Sequence, residues 1–113
     1  MNKSSTAIIQ EYLDECLFEP GLNWPKYYFI KISYSRWAAY EIITRVLEQE
    51  LIPPIKVFEQ EVKSPIKIIE EFISEMDRFS EITDNDGSQI IFLIASNAAK
   101  DILNLYKSKG EKQ

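Results

Sequence analysis

The chain has 113 residues, with a hydrophobic fraction of 45% and a charged fraction of 27%, a composition that excludes wholesale disorder and leaves room for one domain, residues 1–113. Eighteen acids against thirteen bases give a net charge of -5, which disfavours phosphate-driven nucleic-acid binding and suits solubility or a basic protein partner. Histidine is absent, there is one cysteine, and only three glycines occur, so Ser-His and Cys-His nucleophile pairs, His- or Cys-rich metal sites and phosphate-cradling loops cannot be written.

The lone Cys16 has no partner in its own chain for a disulfide, which fits a reducing compartment and a cytoplasmic location. Glu11, Asp14 and Glu15 stand where a secretory signal would be apolar. The longest apolar run, Ile90 to Ala95, falls far short of the ~20 residues needed to cross a bilayer, so no membrane association is expected. Abundant Ile and Lys, with Lys well above Arg, match the bias of AT-rich bacterial genomes.

A first helix is predicted over 5–18, capped from the Ser4, Ser5 and Thr6 cluster and stopped at Pro20-Gly21. Ile8, Ile9, Tyr12, Leu13, Cys16 and Leu17 form its apolar face, and Cys16 there reads as a buried structural thiol. Over 22–34, Tyr28, Ile30, Ile32 and Tyr34 alternate with Phe29, Lys31 and Ser33, which suits a short extended segment or an aromatic-rich loop. A second helix is predicted over 35–51, ended by Pro53-Pro54. Its core stripe would be Ala39, Ile42, Ile43, Val46 and Leu47, with Trp37, Tyr40 and Leu51 forming a second apolar edge roughly 100–150° away.

Ser64 followed by Pro65 marks the start of a third helix over 65–82, with Ile66, Ile69, Phe72, Ile73, Met76 and Phe79 inward. The preceding 54–62 segment, PIKVFEQEV, is a near-copy of PIKIIEEFI at 65–73, and eleven residues is close to three helical turns. A turn at 83–87 then leads to a fourth helix over 88–107, capped by Ser88, although a strand at 89–95 would also fit its apolar start. Ile91, Ile94, Ala95, Ala98, Ile102, Leu105 and Tyr106 share its inner face, with Ser96, Asn97, Lys100 and Asn104 on the other. Residues 108–113 read as a disordered tail. The fold class is therefore all-α, a small bundle of about four helices with an aromatic-rich linker. The alternative is α+β, with 27–33 pairing against 55–62.

Asp84-Asn85-Asp86-Gly87 has the outline of a calcium loop, but Gly87 at the sixth position puts Ile82 first and Leu93 last, where acidic ligands belong. Glu71 and Glu75 share one side of the third helix and read as a solvated face rather than acid–base or metal-binding carboxylates. No catalytic residue, cofactor, metal, nucleic acid or small-molecule substrate follows from these patterns. The stretch 22–40 stands apart: it holds half of the chain's aromatics, interleaved with Lys26, Lys31 and Arg36, and no acid falls between Glu19 and Glu41. Such a stretch can cap a small core, grip a protein partner or stack bases, and the net charge argues against the last. The expected function is a non-enzymatic interaction or assembly module that self-associates as a homodimer or joins another protein. Trp24, Lys26, Tyr27, Tyr28, Trp37, Tyr40 and Leu51 are its candidate contact residues. A small acidic inhibitor of the immunity or antitoxin kind is the alternative, and a hydrolase working with carboxylates alone is a third reading.

Adding chelator, zinc or calcium should leave the melting temperature unchanged, since no ligand set can be assembled from this composition. Clear stabilisation by a divalent ion in differential scanning calorimetry would reverse that assignment.

Overall fold

The computed structural model describes residues 5–15, 21, 23–50 and 63–110. Helix α1 spans Ser5–Glu15, α2 Lys26–Glu50, α3 Pro65–Ile82 and α4 Asp86–Leu105, and a wider π-helical turn, Tyr106–Gly110, prolongs α4. Among the described residues no strand occurs, and the architecture is a small all-α bundle of four helices.

The helix ends follow local chemistry. The Ser64 hydroxyl accepts from the Lys67 N–H at 3.2 Å with Pro65 at the first helical position, as the sequence predicts. At the other end of α3 the Thr83 N–H and hydroxyl both donate to the Phe79 carbonyl, at 3.1 and 2.6 Å. The cap of α4 is Asn85 rather than Ser88: its Oδ1 accepts from the Gly87 and Ser88 N–H groups at 2.8 and 3.3 Å. Only residues 83–85 separate α3 from α4, so the two run back antiparallel.

One segment departs from expectation. The aromatic-rich linker is not a linker, and 27–33 is not a strand: Lys26 to Tyr34 form the first turns of α2. Pro25 precedes that helix, the conformation its fixed φ favours, and its carbonyl accepts from the Tyr28 N–H at 3.0 Å. The alternation of Tyr28, Ile30, Ile32 and Tyr34 reflects aromatic composition, because on a helix those residues spread around the axis. At the C-terminus the helical path continues to Gly110, with Tyr106 buried and the Ser108 hydroxyl donating to the Leu105 carbonyl. Cys16, Leu17, Leu51, the 54–62 near-copy and residues 111–113 lie outside the described residues.

Helix α4 is the hub, packing against α1, α2 and α3. The core joins Ile8, Ile9 and Tyr12 of α1, Ile42 and Val46 of α2, Ile68, Ile69, Phe72 and Met76 of α3, and Ile94 and Ile102 of α4, with Phe72 the largest fully buried side chain. Small residues fill the rest: Ser35, Ala38 and Ala39 on α2, and Ala95, Ser96, Ala98 and Ala99 on α4. They permit a close approach of those two helices. They also rotate the buried stripe of α2 by about 50° from its expected position, at 100° per residue. Ala38 and Ser35 enter the core, Ile43 is half-buried, and Leu47 is left 42% exposed.

A polar stitch crosses the α3–α4 hairpin. Ser96, expected on the outer face, is buried and its hydroxyl donates to the half-buried Asp77 carboxylate. The Gln89 amide donates to the Ser80 carbonyl at 3.0 Å, and Phe79 packs on Phe92 with ring centroids 5.4 Å apart. Buried polar groups must find such partners or lose the cost of their desolvation.

Phe72→Ala should cost about 3–5 kcal/mol and Ala39→Leu about 1–3 kcal/mol by overpacking, while Ile69→Asp should prevent stable folding. Urea unfolding followed by far-UV circular dichroism measures all three. A Phe72→Ala variant as stable as the parent would contradict a core centred on that ring.

Candidate functional site

The aromatic stretch divides into two groups because α2 turns its residues to different sides. Trp24, Tyr27 and Tyr28 cluster at the helix start: Trp24 and Tyr28 meet edge-on with centroids 5.4 Å apart, and Tyr27 and Tyr28 at 5.8 Å. The chain folds back tightly there, with the Trp24 N–H donating to the Gly21 carbonyl at 3.0 Å. A side chain on Gly21 would sit 3.0 Å from the Trp24 indole nitrogen, so glycine is what lets the ring lie against the backbone. With Tyr12, Lys31, Asn97 and Asp101 these rings line a cleft of about 350 Å³.

The second group lies away from the buried stripe of α2, although Trp37 reaches back to the Phe72 ring. Along α2 the buried positions are Ser35, Ala38, Ala39, Ile42 and Val46. On the opposite side stand Ile30, Ser33, Trp37, Tyr40, Thr44 and Leu47, spaced alternately three and four residues apart. Ile30 is half-buried, and the other five are exposed, with Trp37 at 42%, Tyr40 at 55% and Leu47 at 42%. Phe29, 39% exposed, flanks the same row. Ile30 also borders a groove shared with Lys26, Tyr34 and the start of α4, where Ile90 is 43% exposed. The helix is thus apolar on two sides, one packed and one open.

Of the sequence-derived contact residues, Trp37 and Tyr40 lie on this open face, and Lys26 is exposed on its first turn. Trp24, Tyr27 and Tyr28 belong to the cleft instead. Leu51 lies outside the described residues. Leu47, Phe29 and Ile30 are the residues that sequence reasoning missed. Their signal was the unbroken three-four spacing from Ile30 to Leu47, which becomes visible once Pro25 is read as a helix start.

The rotation of α2 is held by charge as well as by packing. Arg45 donates to both Glu75 carboxylate oxygens, at 2.8 and 3.3 Å, lies 3.5 Å from Glu41, and stacks its guanidinium 5.1 Å over the Phe72 ring. The hydrogen bonds to Glu75 raise the Arg45 pKa above its ordinary value, with burial acting in the opposite sense. Glu71 pairs with the Lys63 ammonium at 2.7 Å, and the Lys63 N–H donates to the Gln49 side chain at 2.9 Å. Glu71 and Glu75, expected as a solvated face, are therefore the carboxylates that tie α3 to α2 and to Lys63. Trp37 shares in this attachment, its ring tilted 6.0 Å from Phe72.

Among the described residues, no group of three Asp, Glu, Cys or His side chains is placed to hold a metal ion, and no helix is long and apolar enough to cross a membrane. Comparison of the chain with protein families, with curated proteins and with solved structures finds no match.

A double-mutant cycle on Arg45→Met and Glu75→Gln should give a coupling of about 0.5–1 kcal/mol, typical of a half-exposed pair with good geometry. Zero coupling in thermal or urea unfolding would remove this pair from the interactions that fix α2.

Proposed function

We propose that this protein is a non-enzymatic assembly module whose working surface is the outer face of α2, and that it covers that face by self-association. The observation that carries the reading is the row of exposed Trp37, Tyr40 and Leu47 directly opposite the core stripe of the same helix. An isolated copy leaves about half of each of these large residues exposed to water, and exposed apolar patches commonly mark interaction sites. A two-fold dimer is the simplest arrangement that buries them, because one self-complementary surface suffices. Tyr and Trp are also the side chains that most often dominate interface energetics, combining large apolar area with few rotatable bonds.

The net charge of -5 supports a second reading, an acidic inhibitor that binds a basic protein through exposed carboxylates such as Glu70, Glu81 and Asp101. The two readings separate on salt. Apolar self-association weakens little as ionic strength rises, whereas charge-steered capture of a basic partner weakens strongly.

Sedimentation equilibrium over a dilution series should report a dimer, and Tyr40→Ser or Leu47→Ser should raise its dissociation constant more than about tenfold without lowering the melting temperature of the monomer. Both positions are chosen because neither side chain belongs to the packed core. A parent that stays monomeric at the highest concentration would defeat the proposal.

A further inference from the structure

We infer that the two copies pair through α2 in antiparallel orientation, in a register centred between Trp37 and Tyr40. This rests on the self-association proposed above and adds its geometry. The first argument is spacing: Ile30, Ser33, Trp37, Tyr40, Thr44 and Leu47 occupy successive a and d positions of a heptad. In an antiparallel pair such positions meet as a against d. The layers become Ile30 against Leu47 of the second copy, Ser33 against Thr44, and Trp37 against Tyr40. Each large aliphatic residue at one end of the row thus faces another, the two small hydroxyl residues face each other, and the aromatics collect at the two-fold axis.

The second argument is charge. Residues 26–38 carry no acid and present exposed Lys26 one step before Ile30, whereas 39–50 present exposed Glu48 and Glu50 near the other end of the row; Arg45 and Glu41 are already paired with each other, and Lys31 lines the cleft. A parallel pair would set base on base and acid on acid. The antiparallel pair sets the basic half of each helix against the acidic half of the other. Lys26 then lies within a turn of the second copy's Glu48 and Glu50.

The third argument concerns α2 alone. It has no acid in its first turn and no base in its last, and its charges run against the helix dipole, with Lys26 at the positive end and Glu48 and Glu50 at the negative end. Nothing within α2 itself offsets that arrangement. An antiparallel second copy brings carboxylates to the N-terminus and ammonium groups to the C-terminus of each helix, so the arrangement disfavoured in one copy becomes favourable in two.

Cysteine crosslinking tests the orientation directly, in the full chain with Cys16→Ser as background. Ser33 and Thr44 are exposed on the row and are replaced singly, as Ser33→Cys and Thr44→Cys. In the inferred register these two positions face each other, whereas each lies about 16 Å along the axis from its own equivalent, beyond the span of a disulfide. Mild oxidation should therefore link the two variants when mixed and leave either variant alone unlinked. Self-linking of each single variant would mean a parallel pair and overturn the inference. Failure of the mixture to link, while sedimentation still reports a dimer, would place the interface or its register elsewhere. A monomer by sedimentation would remove the self-association itself, so the two failures are told apart.

Discussion

The close approach of α2 to α4 is the constraint from which the rest of this structure follows. Ser35, Ala38 and Ala39 on one helix and Ala95, Ala98 and Ala99 on the other are buried and small, and small residues set a short distance between axes. They also fix which side of α2 faces inward. Once that side is chosen, Ile42 and Val46 reach the core, Arg45 reaches Glu75 across Phe72, and the opposite side is committed to solvent or to another molecule. The exposed row from Trp37 to Leu47 is therefore a geometric consequence of how the core is packed. Larger residues at 38 and 39 would turn the helix and change both faces together.

Charged groups reinforce that choice without creating it. Arg45 and Glu75 are each partly exposed, so their attraction is screened and contributes little compared with the burial of Phe72. What the pair supplies is direction: a guanidinium held in a fork by one carboxylate and flattened on an aromatic ring permits little rotation of the helix that carries it. The hydrogen bond from Ser96 to Asp77 serves the hairpin in the same manner, satisfying a polar group inside an otherwise apolar contact.

Much of the fold was legible in the sequence wherever local signals and burial agreed. Ser64-Pro65 and the strong period of Ile69, Phe72 and Met76 placed α3 to its end residues, and Ile8, Ile9 and Tyr12 placed the packed face of α1. Reading failed where two signals competed. Aromatic and β-branched residues over 27–34 suggest extended chain, and only tertiary packing plus Pro25 make that segment helical. Hydrophobicity also misplaced Leu47 and Ser96, because alanine and serine at close helix contacts carry little apolar signal of their own while a leucine carries a great deal. Trp37 and Tyr40 are exposed, as a second edge requires, but the full row needs the start of α2, which lies about nine residues before the predicted one.

The three-residue link between α3 and α4 has a kinetic consequence. Closing so short a loop costs little chain entropy, and each helix carries its own cap at the turn, through Thr83 and Asn85. The hairpin, with Phe79 on Phe92 and Ser96 on Asp77, can thus assemble from contacts near in sequence. Helix α2 has no comparable shortcut: Arg45 must find Glu75 thirty residues away. Local pairing forms faster than distant pairing, so the hairpin is favoured to form before α1 and α2 dock on it. Until the hairpin is made, α2 therefore leaves Ile42 and Val46 without the surface that buries them.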